Sequence, residues 1–90
     1  MVTRRVQVVN ALGLHARAAA RFVRLAGQFR SQIRVTRGQR TMDGKSILGL
    51  LLLAASQGSV ITITADGRDE EQALDALVRL VQEGFGEPCA

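Results

Sequence analysis

From Val2 to Val9 the apolar positions alternate imperfectly, with Arg4, Val6 and Val8 on one side and Thr3, Arg5, Gln7 and Val9 on the other. Strand side chains alternate with period two, so this segment is expected to be a strand. Asn10-Ala11-Leu12-Gly13 breaks it, and from Ala16 the period becomes helical, running to Ala26 or Phe29. Ala19, Phe22, Val23 and Ala26, with Leu25 and Phe29 nearby, make the apolar face, while Arg17, Arg21, Arg24 and Gln28 follow one polar stripe. Two strand-like runs come next, Gln32 to Arg37 and Arg40 to Asp43, joined by Gly38-Gln39 as a tight hairpin.

Asp43-Gly44 is a turn signal, after which Ser46 is placed to cap a short apolar helix from Ile47 to Ala54 or Ala55. Consecutive Leu50 to Leu53 cover more than one helix face, so some of these leucines are core and others are exposed for docking. The β-branched run Val60 to Ala65 predicts another strand. Asp69 with Gln72 resembles a capping box, and Asp69, Glu70 and Glu71 suit the positive end of a helix dipole. Leu74, Leu77, Val78, Val81 and Phe85 then form the buried face of a last helix ending near Gly84. The order β-α-β-β-α-β-α implies an α+β fold, an open-faced β-sandwich with a four-stranded antiparallel sheet covered on one face by three helices.

Composition narrows the chemistry. Ninety residues make a single domain, 1–90, since a domain takes roughly 150. With no Trp or Tyr and only three Phe, an aromatic platform for stacking single-stranded nucleic acid is nearly absent. One Cys, Cys89, excludes an intrachain disulfide and has no partner for a redox role, and one His with one Cys cannot build an ordinary zinc site. No metal and no cofactor are expected. The longest apolar run, Ile47 to Ala55, is too short to cross a bilayer, and the first residues hold no apolar signal-peptide core. The expectation is a cytoplasmic protein with no membrane insertion. The tail Glu87-Pro88-Cys89-Ala90 is expected to fray.

Charge is uneven along the chain. Residues 1–45 carry ten Lys and Arg against Asp43 alone, a balance of +9, and residues 46–90 carry two against seven acids, a balance of −5. Such asymmetry fits a basic face for an anionic ligand, an acidic protein or nucleic acid, or a merely solvated surface.

The sole histidine stands in Gly13-Leu14-His15-Ala16-Arg17, where a strand-exit loop meets the first helix. Free N–H groups and the helix dipole make that place suited to an anion. A neutral imidazole there offers a ring nitrogen as nucleophile, and Arg17 offers a planar fork of donors to phosphate oxygens. A surface or capping histidine is the plain alternative.

These residues carry a resemblance. Gly13-Leu14-His15-Ala16-Arg17 resembles the active-site signature of the histidine-containing phosphocarrier (HPr) family of the bacterial phosphoenolpyruvate-dependent sugar phosphotransferase system. Gly44-Lys45-Ser46-Ile47-Leu48-Gly49-Leu50 resembles that family's regulatory-serine region, and length and element order agree from about Val2 to Gly84. The resemblance implies that His15 accepts a phosphoryl group from the phosphohistidine of enzyme I and passes it to an EIIA-type acceptor. Arg17 and the N–H groups of Ala16 and Arg17 would hold the phosphate. Ile47, Leu48 and Leu51, with Arg21 and Arg24 around them, would dock partners. The protein would be a monomeric carrier in a relay and not an enzyme, serving sugar uptake or a regulatory branch such as the nitrogen-related one.

Ala18 stands where the family usually has proline, and alanine keeps the helix. Ser46 is an N-cap by position, and the resemblance adds phosphorylation by an HPr kinase/phosphorylase, which would put charge on the docking face. The rival reading is a basic nucleic-acid or protein-binding module on an α+β sandwich without phosphotransfer. The +9 half supports it, while the missing aromatics and the lack of a reader motif oppose it. The carrier reading expects no nucleic-acid partner.

Overall fold

A computed structural model describes residues 1–87; Pro88 and Cys89 lie outside the described residues, and so do the expectations placed on them. The order is β1 (Val2–Gln7), α1 (Ala16–Ala26), β2 (Gln32–Arg37), β3 (Arg40–Asp43), α2 (Ile47–Leu52), β4 (Val60–Asp66) and α3 (Glu70–Gln82), then a 3-10 turn over Gly84–Gly86. The four strands form one antiparallel sheet in the order β1-β4-β2-β3. The fold is the open-faced α+β sandwich that the element order implies.

Register explains which face is covered. Val6 pairs with Ile61, and Val35 pairs with both Ile63 and Met42, so alternate apolar side chains line up in rows across the strands. All three helices pack over that face, bringing Phe22, Leu50, Leu53, Leu77 and Val81 onto Ile33, Val35, Ile61 and Ile63 in one core. On the opposite face Thr3 pairs with Thr64, and Thr36 with Thr41, through their hydroxyls. No helix among the described residues is long and apolar enough to cross a membrane.

Three local expectations are corrected. The second helix stops at Leu52 rather than Ala54 or Ala55, because Ala54 takes a left-handed φ of 51° that turns the chain out of the helix. The C-terminal carbonyls of α2 are closed from the β2–β3 hairpin, where Arg40 donates to the Leu52 carbonyl and Arg37 to that of Leu53. Cationic donors at a helix C-terminus satisfy orphan carbonyls and suit its negative end.

The capping box at α3 does not form. Asp69 makes no side-chain cap bond; its carboxylate turns to the α1–β2 loop and accepts from the N–H groups of Arg30 and Ser31 and the Ser31 hydroxyl. Glu70 accepts instead from the N–H of Gly67. Phe85 is fully buried as expected, but not as a further turn of α3. It sits in the 3-10 turn with φ 57°, which bends the chain toward the start of α1.

Candidate functional site

Gly13 sets the loop that leads into α1. Its φ is +65°, and a Cβ there would lie 2.5 Å from the Ala55 carbonyl oxygen, so glycine is required by conformation and by close approach. Leu14 donates to that same carbonyl at 2.8 Å and is buried, which fixes the next residue at the head of the helix.

His15 is the N-cap of α1, with extended backbone and its Nδ1 accepting from the Arg17 N–H at 3.3 Å. The other ring nitrogen, Nε2, is 2.7 Å from Glu87 Oε2. A ring nitrogen that accepts from an amide is unprotonated, so in the neutral ring the proton is on Nε2 and is donated to the carboxylate. The ring is thereby stretched between a helix N-terminus and a carboxylate, with its side chain 26% exposed.

Glu87 is itself held. Asn10, fully buried, donates from Nδ2 both to the Gly13 carbonyl at 2.8 Å and to Glu87 Oε1 at 2.9 Å. Arg21 donates to the Phe85 carbonyl and so pins the turn that delivers Glu87. Burial pushes the Glu87 carboxyl up, yet the hydrogen bonds from Asn10 and His15 and the charges of His15 and Arg21 outweigh it. The carboxyl is held below its ordinary range. Asn10 Oδ1 is buried with no hydrogen-bond partner among the described residues.

The basic residues divide into two groups. Arg17 and Arg24 are exposed on α1, whereas Arg21 is half-buried and already bonded. Arg37, Arg40 and Lys45 are tied to the carbonyls of Leu53, Leu52 and Phe29, so part of the basic half closes helix ends and loops. With Arg21, four of the ten basic residues of the first half are thus bonded to main-chain carbonyls.

Ser46 caps α2 as expected, its hydroxyl accepting from the Gly49 N–H at 3.0 Å. The helix divides its apolar residues between two sides. Gly49, Leu50 and Leu53 are buried against α1 and the sheet, while Ile47, Leu48, Leu51 and Leu52 are exposed. Leu12, in the loop before His15, is 71% exposed and adds to the apolar surface outside the core.

The structure therefore brings His15, Ala16 and Arg17 together at one helix start, and sets α2 with Ser46 against α1. Sequence reasoning missed Asn10 and Glu87. Asn10 reads only as a strand breaker, and Glu87 lies 72 residues from His15 in a tail expected to fray. The tail expectation is wrong for Glu87, which is docked. The signal that finds it is Phe85, an apolar residue after a helix stop that has to be buried. No group of three or more His, Cys, Asp or Glu among the described residues is placed to hold a metal ion.

Residues 2–83 match the family described as PTS HPr component phosphorylation site. The chain is 48% identical over 87 residues to a phosphocarrier protein HPr of Cupriavidus necator, covering 97% of this chain and 98% of that one. It superposes on the crystal structure of HPr-C-His from Thermoanaerobacter tengcongensis with TM-score 0.94 and 44% identity, over 98% of this chain and 99% of that one. An HPr dimer from the same organism aligns with TM-score 0.77 and 46% identity, over 91% and 94% of the two chains.

Proposed function

The chain belongs to the PTS HPr family and is a phosphocarrier of the phosphotransferase system, and from that premise we infer that His15 Nδ1 is the atom that carries the phosphoryl group. The observation that carries the inference is the placement of Nδ1 over the first turn of α1, unprotonated and facing the Arg17 N–H. That bond is long, at 3.3 Å, and is readily exchanged for one to a phosphoryl oxygen.

The chemistry is a transfer between two imidazoles. The Nδ1 lone pair attacks phosphorus, the N–P bond of the phosphohistidine of enzyme I breaks, and its electron pair returns to the donor ring. The N–H groups of Ala16 and Arg17 and the Arg17 guanidinium hold the phosphoryl oxygens, where the helix dipole adds favourable charge. The same step in reverse sense passes the group to an EIIA-type acceptor. The protein is a substrate of enzyme I rather than an enzyme, acting as a single-domain monomer in the cytoplasm.

Exposed Ile47, Leu48 and Leu51 form the docking surface, together with exposed Arg24 and the partly engaged Arg21 of the neighbouring helix α1. Ser46 combines its capping role with that of acceptor for an HPr kinase/phosphorylase. A phosphate there adds negative charge to the docking face and weakens approach of an acidic partner. The acceptor belongs to a sugar-uptake or a regulatory branch.

The test is intact mass after incubation with phosphoenolpyruvate and enzyme I, with His15→Ala in parallel. The expected result is a gain of one phosphoryl group, lost in mild acid and absent from the variant. No gain by the folded, unaltered chain overturns the reading.

A further inference from the structure

The geometry points to Glu87 as a positioning residue that fixes the tautomer of His15, so that the Nδ1 lone pair always faces the phosphoryl donor. This rests on the reading of His15 as the carrier site. Two features separate the contact from an incidental surface ion pair. The Glu87 side chain is only 12% exposed, and its two oxygens have different partners, Oε2 taking His15 Nε2 at 2.7 Å and Oε1 taking Asn10 Nδ2 at 2.9 Å. Because Asn10 is fully buried and also bonded to the Gly13 carbonyl, the carboxylate is fixed to the same loop that fixes His15.

An acceptor-only group facing Nε2 demands a proton on that nitrogen and leaves Nδ1 bare. The alternative tautomer would set a bare Nε2 against an ionised carboxylate and an Nδ1–H against the Arg17 N–H, two repulsive contacts at once. In the transfer step the Nε2 proton stays where it is. Once Nδ1 bonds to phosphorus the ring gains cationic character, which Glu87 Oε2 balances across the Nε2–H. Phosphorus, proton and charge are all accounted for with no further group.

The experiment uses the full chain labelled with 15N-histidine, comparing the unaltered protein with Glu87→Gln and Glu87→Ala at a pH where the ring is neutral. Long-range 1H–15N spectra report the tautomer without any phosphotransfer. The unaltered chain is expected to show Nδ1 as an unprotonated and Nε2 as a protonated nitrogen. In both variants the two 15N shifts should move toward each other. The Gln variant matters because it keeps size and removes charge: its amide nitrogen must face either Asn10 Nδ2 or His15 Nε2. Phosphorylation by enzyme I should slow roughly 10-fold, the low end of what losing the partner that orients a metal-bound histidine costs, with KM for the carrier unchanged.

Identical ring spectra in all three proteins overturn the assignment, as does a shifted spectrum with an unaltered rate. Absence of phosphoryl uptake by the unaltered chain would instead count against the carrier reading, and the ring spectra would still decide the tautomer.

Discussion

Asp69 holds Ser31 twice, accepting from its N–H at 2.9 Å and from its hydroxyl at 2.5 Å. With the Arg30 N–H added, the carboxylate has three donors from a loop 38 residues away, and the start of α3 is tied to the start of β2. The hydrogen bond from the Ser31 hydroxyl, then that from the Arg30 N–H, bring the Asp69 carboxyl down to about 2 against the opposing effect of burial. A carboxyl lowered on folding contributes stability that is present above its unfolded value of 3.8 and is lost as pH falls through about 2. Urea midpoints between pH 5 and pH 2 should therefore fall more steeply for the unaltered protein than for Asp69→Asn; parallel curves would contradict this.

Gly13→Ala is expected to be among the most damaging single-methyl additions. It forces a side chain into a left-handed conformation and toward the Ala55 carbonyl, at a cost of about 2 kcal/mol. For a domain of this size that lowers Tm by roughly 10 °C. Thermal melting by circular dichroism measures it, and an unchanged Tm would mean that the loop has another conformation.

Ser46 has two properties that substitution can separate. Ser46→Ala removes the acceptor for the Gly49 N–H and should destabilise by about 1 kcal/mol. Ser46→Asp keeps a capping oxygen and adds charge, so its stability should match the unaltered protein to within about 0.5 kcal/mol while KM toward enzyme I rises. Equal KM values for the two variants would remove charge from the account of Ser46.

Neighbouring leucines of α2 should behave oppositely. Leu50 is fully buried and Leu48 is 67% exposed. Leu50→Ala should cost about 2–5 kcal/mol, whereas Leu48→Ala should change stability by less than about 0.5 kcal/mol and instead raise KM for enzyme I. Denaturation and transfer kinetics on the same two variants check both halves.

Sequence pattern reached the strands, α1 and the face that α3 buries, because those elements follow periods of two and 3.6 that side-chain burial imposes. It also placed His15 and Ser46, since both act at a helix start through neighbours in sequence. What it missed depends on contacts across the chain. Asp69 looked like a local cap because Gln72 follows at the right spacing, yet the loop at Arg30 and Ser31 offers three donors and wins. Asn10 and Glu87 could not be paired from a single sequence, because 77 residues separate them and the turn between α3 and Glu87 depends on the φ of Phe85. The end of α2 was overextended for a similar reason: Ala54 is a good helix former whose conformation is set by the docking of Ala55 and Leu14.

The Arg21 to Phe85 bond gives the histidine loop an unexpected dependence. The ring's surroundings are split between residues early in the chain and residues that follow α3, so they exist only while the two are closed on each other. Opening of α3 alone, with α1 and the sheet intact, strips Nε2 of its carboxylate and leaves Asn10 without one of its acceptors. The setting of one imidazole is therefore a local gauge of whether the last helix is seated. Amide exchange at Phe85 and Glu87 should keep pace with the loss of that ring's ordered signal.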